Sequence, residues 1–413
     1  MNDAYRQHVA ERAEQGIPPL PLNAEQAAEV CRLLTSAAPA DAEQLLHLLV
    51  ERVPPGVDPA AQVKATFLAR IAKREAQCPL IDPREAVRLL GTMLGGYNLN
   101  FLIEFLSVPD LAETAADALS HTLLIFDHYH EVLDLANAGN AAARRVIDSW
   151  AAAQWFLDKP ELPEAIDLTV YKVDGEINTD DLSPAVHAVS RADIPRHALA
   201  MLEQRDPEAR ARIAELRARG EKVAFVGDVV GTGSSRKSAT NSLLWAIGED
   251  IPYIPNKRRG GVVIGGSIAP IFFNTLEDSG ALPIQCDVSN LRTGQRIRVL
   301  PRAGKITDPE GNTLATFTLQ PNTLPDEYRA GGRVPLIIGR QLTNNVRAEL
   351  GLGESDVFTH PRFVVEEGVG FTLAQKMVGR ACGCGVESVH PGTSCTPKMT
   401  TVGSQDTTGP MTR

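Results

Sequence analysis

Between Ala24 and about Lys159 apolar residues recur at separations of three and four: Leu45, Leu46, Leu48 and Leu49, then Ala65, Leu68, Ala69 and Ile71, then Val87, Leu90, Met93 and Leu94. On a helix of 3.6 residues per turn this spacing gathers them into one stripe, so the stretch reads as a series of amphipathic helices. Pro39, Pro54-Pro55-Gly56, Cys78-Pro79 and Gly95-Gly96 break it into segments of helical length. An all-helical domain follows, and its spacing suggests stacked helix pairs, although no strict repeat period is visible.

The pattern changes after Leu162-Pro163. Leu168, Val170 and Val173 alternate with Thr169 and Lys172, and strand composition returns at Val223–Val226, at Gly261–Ile264, at Ile297, Val299 and Leu300, and at Leu314–Leu319 around an exposed Asp-Pro-Glu-Gly turn. Gly and Pro punctuate the intervals. This region, to about Pro335 or somewhat beyond, is expected to be a compact α/β domain. A helix is predicted from Pro195 to Arg219, mostly within the charged run EQRDPEARARIAELRARGEK. From about Asp356 the chain becomes glycine- and threonine-rich.

One segment stands out chemically: Gly227–Ser242, GDVVGTGSSRKSATNS, between the apolar run Val223–Val226 and the helix-forming run Ser238–Ile247. Gly231 and Gly233 permit a sharp turn and leave room for a ligand. Ser234, Ser235 and Arg236 would then stand near a helix N-terminus, where free N–H groups and the helix dipole favour an anion. That is the layout of a carboxylate-binding site. A Walker A loop requires Gly before Lys-Ser, and Arg236 stands there; a dinucleotide fingerprint requires a third glycine at the same place. On its residues alone the segment also reads as a surface turn with an N-capping serine.

With 413 residues the chain has room for two or three domains, at roughly 100–200 residues each. A net charge of −10 argues against a general nucleic-acid surface. The basic run Lys257-Arg258-Arg259 reads as a solvated loop. No apolar stretch approaches the roughly 20 residues of a membrane span, and MNDAYRQHVAERAEQG is unlike a signal peptide. Six cysteines are too sparse for a disulfide scaffold and fit a reducing cytosol. Cys382, Cys384 and Cys395 form the one cluster that invites a metal, but Cys-x-Cys plus a distant cysteine is a weak ligand spacing. His128 and His130 diverge on a helix and read as surface or partner-facing residues.

GTGSSRKSA resembles the Gly-x-Gly-Ser-Ser-Arg signature of the aconitase superfamily swivel domain, and Asn178–Pro184 is similar to the Thr-Asp-Asp/His-Ile/Leu-Ser segment that opens that domain. With IPNKRRGGVVIGGSIAPIFFNTLEDSGALPI, AYRQHVAERA and the terminal GSQDTTGPMTR, the chain is similar over essentially its whole length to the bacterial aconitase B family. The resemblance implies a multidomain α and α/β fold: a HEAT-like helical domain over 1–160, a swivel α/β domain over 161–355, and a linker with the truncated start of the cluster-bearing core over 356–413. It implies Ser234 as catalytic base, with Ser235 and Arg236 binding substrate. Arg191 is expected as a second carboxylate clamp, and Gln405, Asp406 and Thr407 as further substrate contacts. The full enzyme of this lyase family interconverts citrate and isocitrate through cis-aconitate, and the family also includes dehydration of 2-methylisocitrate. Its 4Fe–4S cluster is held by a Cys…Cys-x-x-Cys arrangement that this chain lacks, so the chain is expected to be an inactive part of a tricarboxylate enzyme whose core is missing. A cytoplasmic location without membrane contact fits. The alternative is a non-catalytic module whose helical domain binds a protein partner, a second copy or messenger RNA.

Overall fold

The computed structural model describes residues 3–36, 39–234, 237–361, 368–383, 389, 390, 393, 395 and 397–401. The helical part begins earlier than the apolar stripe suggests. Helix α1 spans Asp3–Glu14, followed by α2 (Ala24–Leu34), α3 (Pro39–Glu51), α4 (Pro59–Ala72), α5 (Pro83–Gly91), α6 (Leu99–Phe105), α7 (Ala112–Ser120), α8 (Tyr129–Asn137), α9 (Ala141–Ala151) and the short α10 (Gln154–Leu157). Asp58 and Asp82 cap α4 and α5 by accepting backbone N–H groups, each with proline as the next residue. Proline there suits the first helical turn, whose N–H groups lack intrahelical partners anyway. For the same reason Pro39 does not break a helix as expected from the sequence; it is the first residue of α3. The stripes of α2 to α9 meet in one apolar core that includes Val30, Leu49, Leu68, Leu90, Leu119 and Trp150.

Strand β1 (Ile166–Asn178) opens the α/β part. It is followed by α11 (Thr179–Leu182), α12 (Ile194–His197), α13 (Ala209–Ala218), β2 (Val223–Thr232) and α14 (Lys237–Ile247). The hairpin β3 (Glu249–Ile251) and β4 (Ile254–Arg259), β5 (Val262–Ile268), α15 (Pro270–Asp278) and β6 (Leu282–Gln285) come next. Then come β7 (Arg296–Leu300), β8 (Lys305–Thr307), β9 (Thr313–Thr316), α16 (Leu324–Ala330), α17 (Arg333–Glu349) and α18 (Leu373–Ala381). Among the described residues the main sheet has seven strands in the order β6-β5-β2-β1-β7-β8-β9. The first four are mutually parallel, and β7, β8 and β9 are added antiparallel. Alternate side chains of the central strands enter two cores: Val223, Phe225 and Val263 face α14 and α15, whereas Ala224, Val226, Val262 and Ile264 face Leu291 and Leu324. Burial on both faces explains the near-continuous apolar run of β2.

Two sequence expectations are corrected here. The single helix predicted from Pro195 to Arg219 is interrupted between α12 and α13, because Leu202, fully buried, turns the chain at φ 60° and hydrogen-bonds Asp181 O through its N–H at 2.7 Å. The basic run Lys257–Arg259 lies on β4, not on a solvated loop, and the Arg258 guanidinium stacks 4.1 Å from the centre of the Trp245 ring. Helix α17 also packs onto the helical part: Leu342 and Val346 join its core, and Trp155 Nε1 donates to Thr343 Oγ1 at 3.0 Å. Asn256 of β4 reinforces the junction, accepting from Arg52 Nη2 at 3.0 Å and donating to Pro19 O at 2.9 Å.

Candidate functional site

Because β1, β2 and β5 run parallel, their carboxyl ends lie along one edge of the sheet, where ligands of open α/β sheets commonly bind. At the end of β1, Asn178 caps α11: its Oδ1 accepts from the N–H groups of Asp180 at 2.7 Å and Asp181 at 2.9 Å, and Asp181 Oδ2 accepts from Asn178 N at 2.9 Å. Asn178 is in register with Thr232, the last residue of β2. The strand therefore continues six residues beyond Val226, and the turn is tighter than the sequence implied. It begins at Gly233, at φ 91°, and carries Ser234 exposed to solvent.

Gly231, still in β2, has φ 80°, and a Cβ there would lie 2.2 Å from Phe272 Cγ. This glycine is required twice, for its backbone angle and for the close approach of α15. Thr179 faces the turn, with its Oγ1 3.4 Å from where a Cβ on Gly233 would stand. That hydroxyl is buried without a hydrogen-bond partner among the described residues. Ser235 and Arg236, named from the sequence, lie outside the described residues, and so do Gln405, Asp406 and Thr407.

Arg191 is half-buried at the end of a short 3-10 helix, Ala185–Ser190, and its backbone N–H donates to Ala188 O at 3.2 Å. Two residues on, Asp193 caps α12 and pairs with Arg12 of α1; Arg12 Nη2 donates to Asp193 Oδ1 at 2.9 Å, and Arg12 Nη1 contacts Asp193 Oδ2. Both side chains are largely shielded, at 6 and 16% exposure. Behind the site a chain of polar side chains, buried except for the half-buried Ser190, joins three segments. Ser190 Oγ is 2.9 Å from His197 Nδ1, His197 Nε2 is 2.7 Å from Ser183 Oγ, and Ser183 Oγ is 2.7 Å from Ser238 Oγ in the first turn of α14. Ser183 and Ser238 fall within segments singled out from the sequence, but the contact that joins them across 55 residues and the roles of Ser190 and His197 were not legible there.

The start of α14 is tied to a second charged group. Lys237 Nζ is 3.7 Å from Asp278 Oδ2, and Asp278 Oδ1 accepts from Arg333 Nε at 2.9 Å. Beside them Glu277 is 2% exposed, and burial, then the neighbouring Glu327 carboxyl, pushes its pKa up to about 8. Burial raises Glu327 as well, while Thr323 Oγ1 donates to its Oε1 at 2.7 Å. Burial, then the nearby Lys237, lowers the pKa of Lys257.

Cys382 is half-buried and Cys395 exposed, and Cys384 lies outside the described residues. His128 Nδ1 is 2.7 Å from Glu131 Oε1. Among the described residues no three His, Cys, Asp or Glu side chains are grouped to hold a metal ion. No described helix is long and apolar enough to cross a membrane.

Two family models match the chain: the aconitate B N-terminal domain over residues 4–156 and the aconitate hydratase 2 N-terminus over residues 168–371. Curated relatives match it end to end. Aconitate hydratase B of Synechocystis sp. is 61% identical over 415 aligned residues, covering 100% of this chain and 48% of the relative. The enzyme of that name from Pseudomonas aeruginosa is 57% identical, with 100% of this chain and 49% of the relative covered, and the one from Helicobacter pylori is 53% identical, with 99 and 48% covered. The chain spans about half the length of the curated relatives it matches.

Proposed function

Because the chain belongs to the aconitate hydratase B family, we propose that it supplies a proton-transferring serine and part of the carboxylate-binding site for interconversion of citrate and isocitrate. The supporting observation is the convergence at one sheet edge of the Asn178–Asp181 cap and the glycine turn that exposes Ser234. The Thr179 hydroxyl, buried and unpartnered among the described residues, lies under that turn. A tricarboxylate brings several acceptor oxygens to such an edge, and arginine suits them because its planar fork donates two charge-assisted hydrogen bonds to one carboxylate. Arg191 and Arg236 have that role. Ser235, Gln405, Asp406 and Thr407 are assigned substrate contacts through the motif resemblance.

Dehydration requires removal of a proton from the carbon next to a carboxylate. An ordinary serine hydroxyl is too weak a base. We assign Ser234 that role as its alkoxide, a form that backbone N–H donors and neighbouring cationic charge stabilise, and its Oγ takes the carbon-bound proton to become a hydroxyl. The electron pair left on carbon forms the double bond of cis-aconitate as hydroxide departs; in hydration the proton returns from Ser234 Oγ. Departure of hydroxide is assigned to no residue of this chain. In the complete family enzyme an iron–sulfur cluster would supply the Lewis acid for that step, from ligands other than the described residues here. The same site would accept 2-methylisocitrate, which presents the same carboxylate pattern.

Citrate-dependent stabilisation tests the reading. A ligand that binds only the folded chain raises its melting temperature with concentration, by about 2.7 kcal/mol at a hundredfold excess over Kd. Stabilisation by citrate that disappears in Arg236→Ala supports the assignment. Equal stabilisation of both proteins, or none of either, contradicts it.

A further inference from the structure

We propose that His197 is a positioning residue for this site, acting through a directed chain of hydrogen bonds from Ser238 to Ser190; the proposal rests on the carboxylate-site reading above. The direction follows from counting protons. Ser190 Oγ donates its one hydrogen to His187 O at 2.8 Å, so towards His197 it accepts. Nδ1 of His197 therefore carries a hydrogen. In the neutral ring Nε2 is then the acceptor, Ser183 donates to it, and Ser183 in turn accepts from Ser238.

The chain joins the three places where the site is built. Ser190 directly precedes Arg191, Ser183 ends the capped turn that begins at Asn178, and Ser238 follows Arg236 by two residues. His197, Ser183 and Ser238 are 1, 0 and 1% exposed. Buried polar groups in such a setting are costly unless fully paired, and when paired they fix one arrangement of the elements they connect. An apolar side chain of similar size would fill the space at 197, but it would leave the Arg191 segment and the start of α14 free to shift independently. A displacement of about 1 Å in a binding group is enough to cost up to about 100-fold in function. His197 touches no substrate in this account; it sets where Arg191 stands relative to the serine turn.

Two measurements on the whole chain test this. With the imidazoles labelled in nitrogen, the signals lost in His197→Gln identify His197, and the unsubstituted protein should show its hydrogen on Nδ1 and a hydrogen-bonded, unprotonated Nε2. A hydrogen on Nε2 with bare Nδ1 would overturn the wiring. Calorimetric titration with citrate should then show affinity reduced about tenfold or more in His197→Gln, which reaches Ser183 but not Ser190, and in His197→Asn, which reaches Ser190 but not Ser183. Neither should differ greatly from His197→Ala, because a chain cut at either link no longer couples the segments. Ser183→Ala provides the same cut with little change of volume should the ring replacements fail to fold. Unchanged citrate affinity in folded variants would refute the positioning role while leaving the site reading intact. Failure of the unsubstituted chain to bind citrate would refute the site reading and the positioning role with it, whatever the spectra show.

Discussion

Adding one methyl group at Gly231 should be far more damaging than adding it at Gly233, although both glycines belong to the same motif and both have positive φ, 80 and 91°. The shared term is the left-handed conformation, about 1–2 kcal/mol for a residue with a Cβ, offset by about 0.4–1 kcal/mol of unfolded-state entropy lost on replacing glycine. At Gly233 little else changes among the described residues, where the nearest atom, Thr179 Oγ1, would be 3.4 Å away. At Gly231 the new carbon would lie 2.2, 2.3 and 2.4 Å from Cγ, Cβ and Cδ1 of Phe272. Phe272 is 2% exposed and cannot swing into solvent, so α15 must move, and overpacking of that kind costs typically about 1–3 kcal/mol. The net expectation is about 0–1.6 kcal/mol for Gly233→Ala and about 1–4.6 kcal/mol for Gly231→Ala, with the overpacking separating the two by about 1–3 kcal/mol. Native-state hydrogen exchange of the β2 and β5 amides reads this locally, without requiring the multidomain chain to unfold in one step. Exchange through opening of the sheet should be about 5- to 150-fold faster in Gly231→Ala than in Gly233→Ala. Equal protection in the two variants would refute the claim that the motif's first glycine is held by packing against α15.

Arg12→Ala should lower stability by about 3–5 kcal/mol, because it strands the shielded Asp193 carboxylate; thermal denaturation should show part of the loss recovered in the Arg12→Ala/Asp193→Ala double variant, and a silent single variant would count against the pair. Glu277, with its folded pKa raised from 4.5 to about 8, binds its proton more tightly in the folded chain than in the unfolded one. Its contribution is therefore fully present below about pH 4.5 and is lost as pH rises towards 8, so Glu277→Gln should gain stability relative to the parent at pH 8 and not at pH 4, as measured by urea titration at both. Reconstitution of the chain with iron and sulfide should give no stoichiometric cluster absorbance, whereas a full complement that disappears on replacing Cys382, Cys384 and Cys395 would overturn the reading of these residues as non-ligands.

The amphipathic helices were legible because each buries a stripe of its own residues, so period and burial coincide, as in Val87, Leu89 and Leu90 of α5. Helix α1 escaped that reading: its buried residues include Tyr5 and Arg12, and Arg12 is held by a carboxylate 181 residues away. The strands β2 and β5 showed as apolar runs, but β4 did not. Its basic residues are kept by contacts that no local pattern encodes, such as the Trp245 face under Arg258. The same distinction holds at the site. Glycines followed by hydroxyls announced the turn at Ser234, whereas the Ser183–Ser238 contact spans 55 residues and Lys237–Asp278 depends on how α15 returns beside α14.

The proposed role of Ser234 is tested most directly by turnover of Ser234→Ala, with this chain joined to the remaining half of an aconitate hydratase B relative. A proton-transferring group acts in the transition state, so kcat with citrate should fall about 10²–10⁴-fold while KM stays near that of the parent. Arg236→Lys, run beside it, should raise KM as well, because one ammonium cannot reproduce a two-pronged carboxylate contact. Near-normal kcat in Ser234→Ala would contradict the account at its central residue.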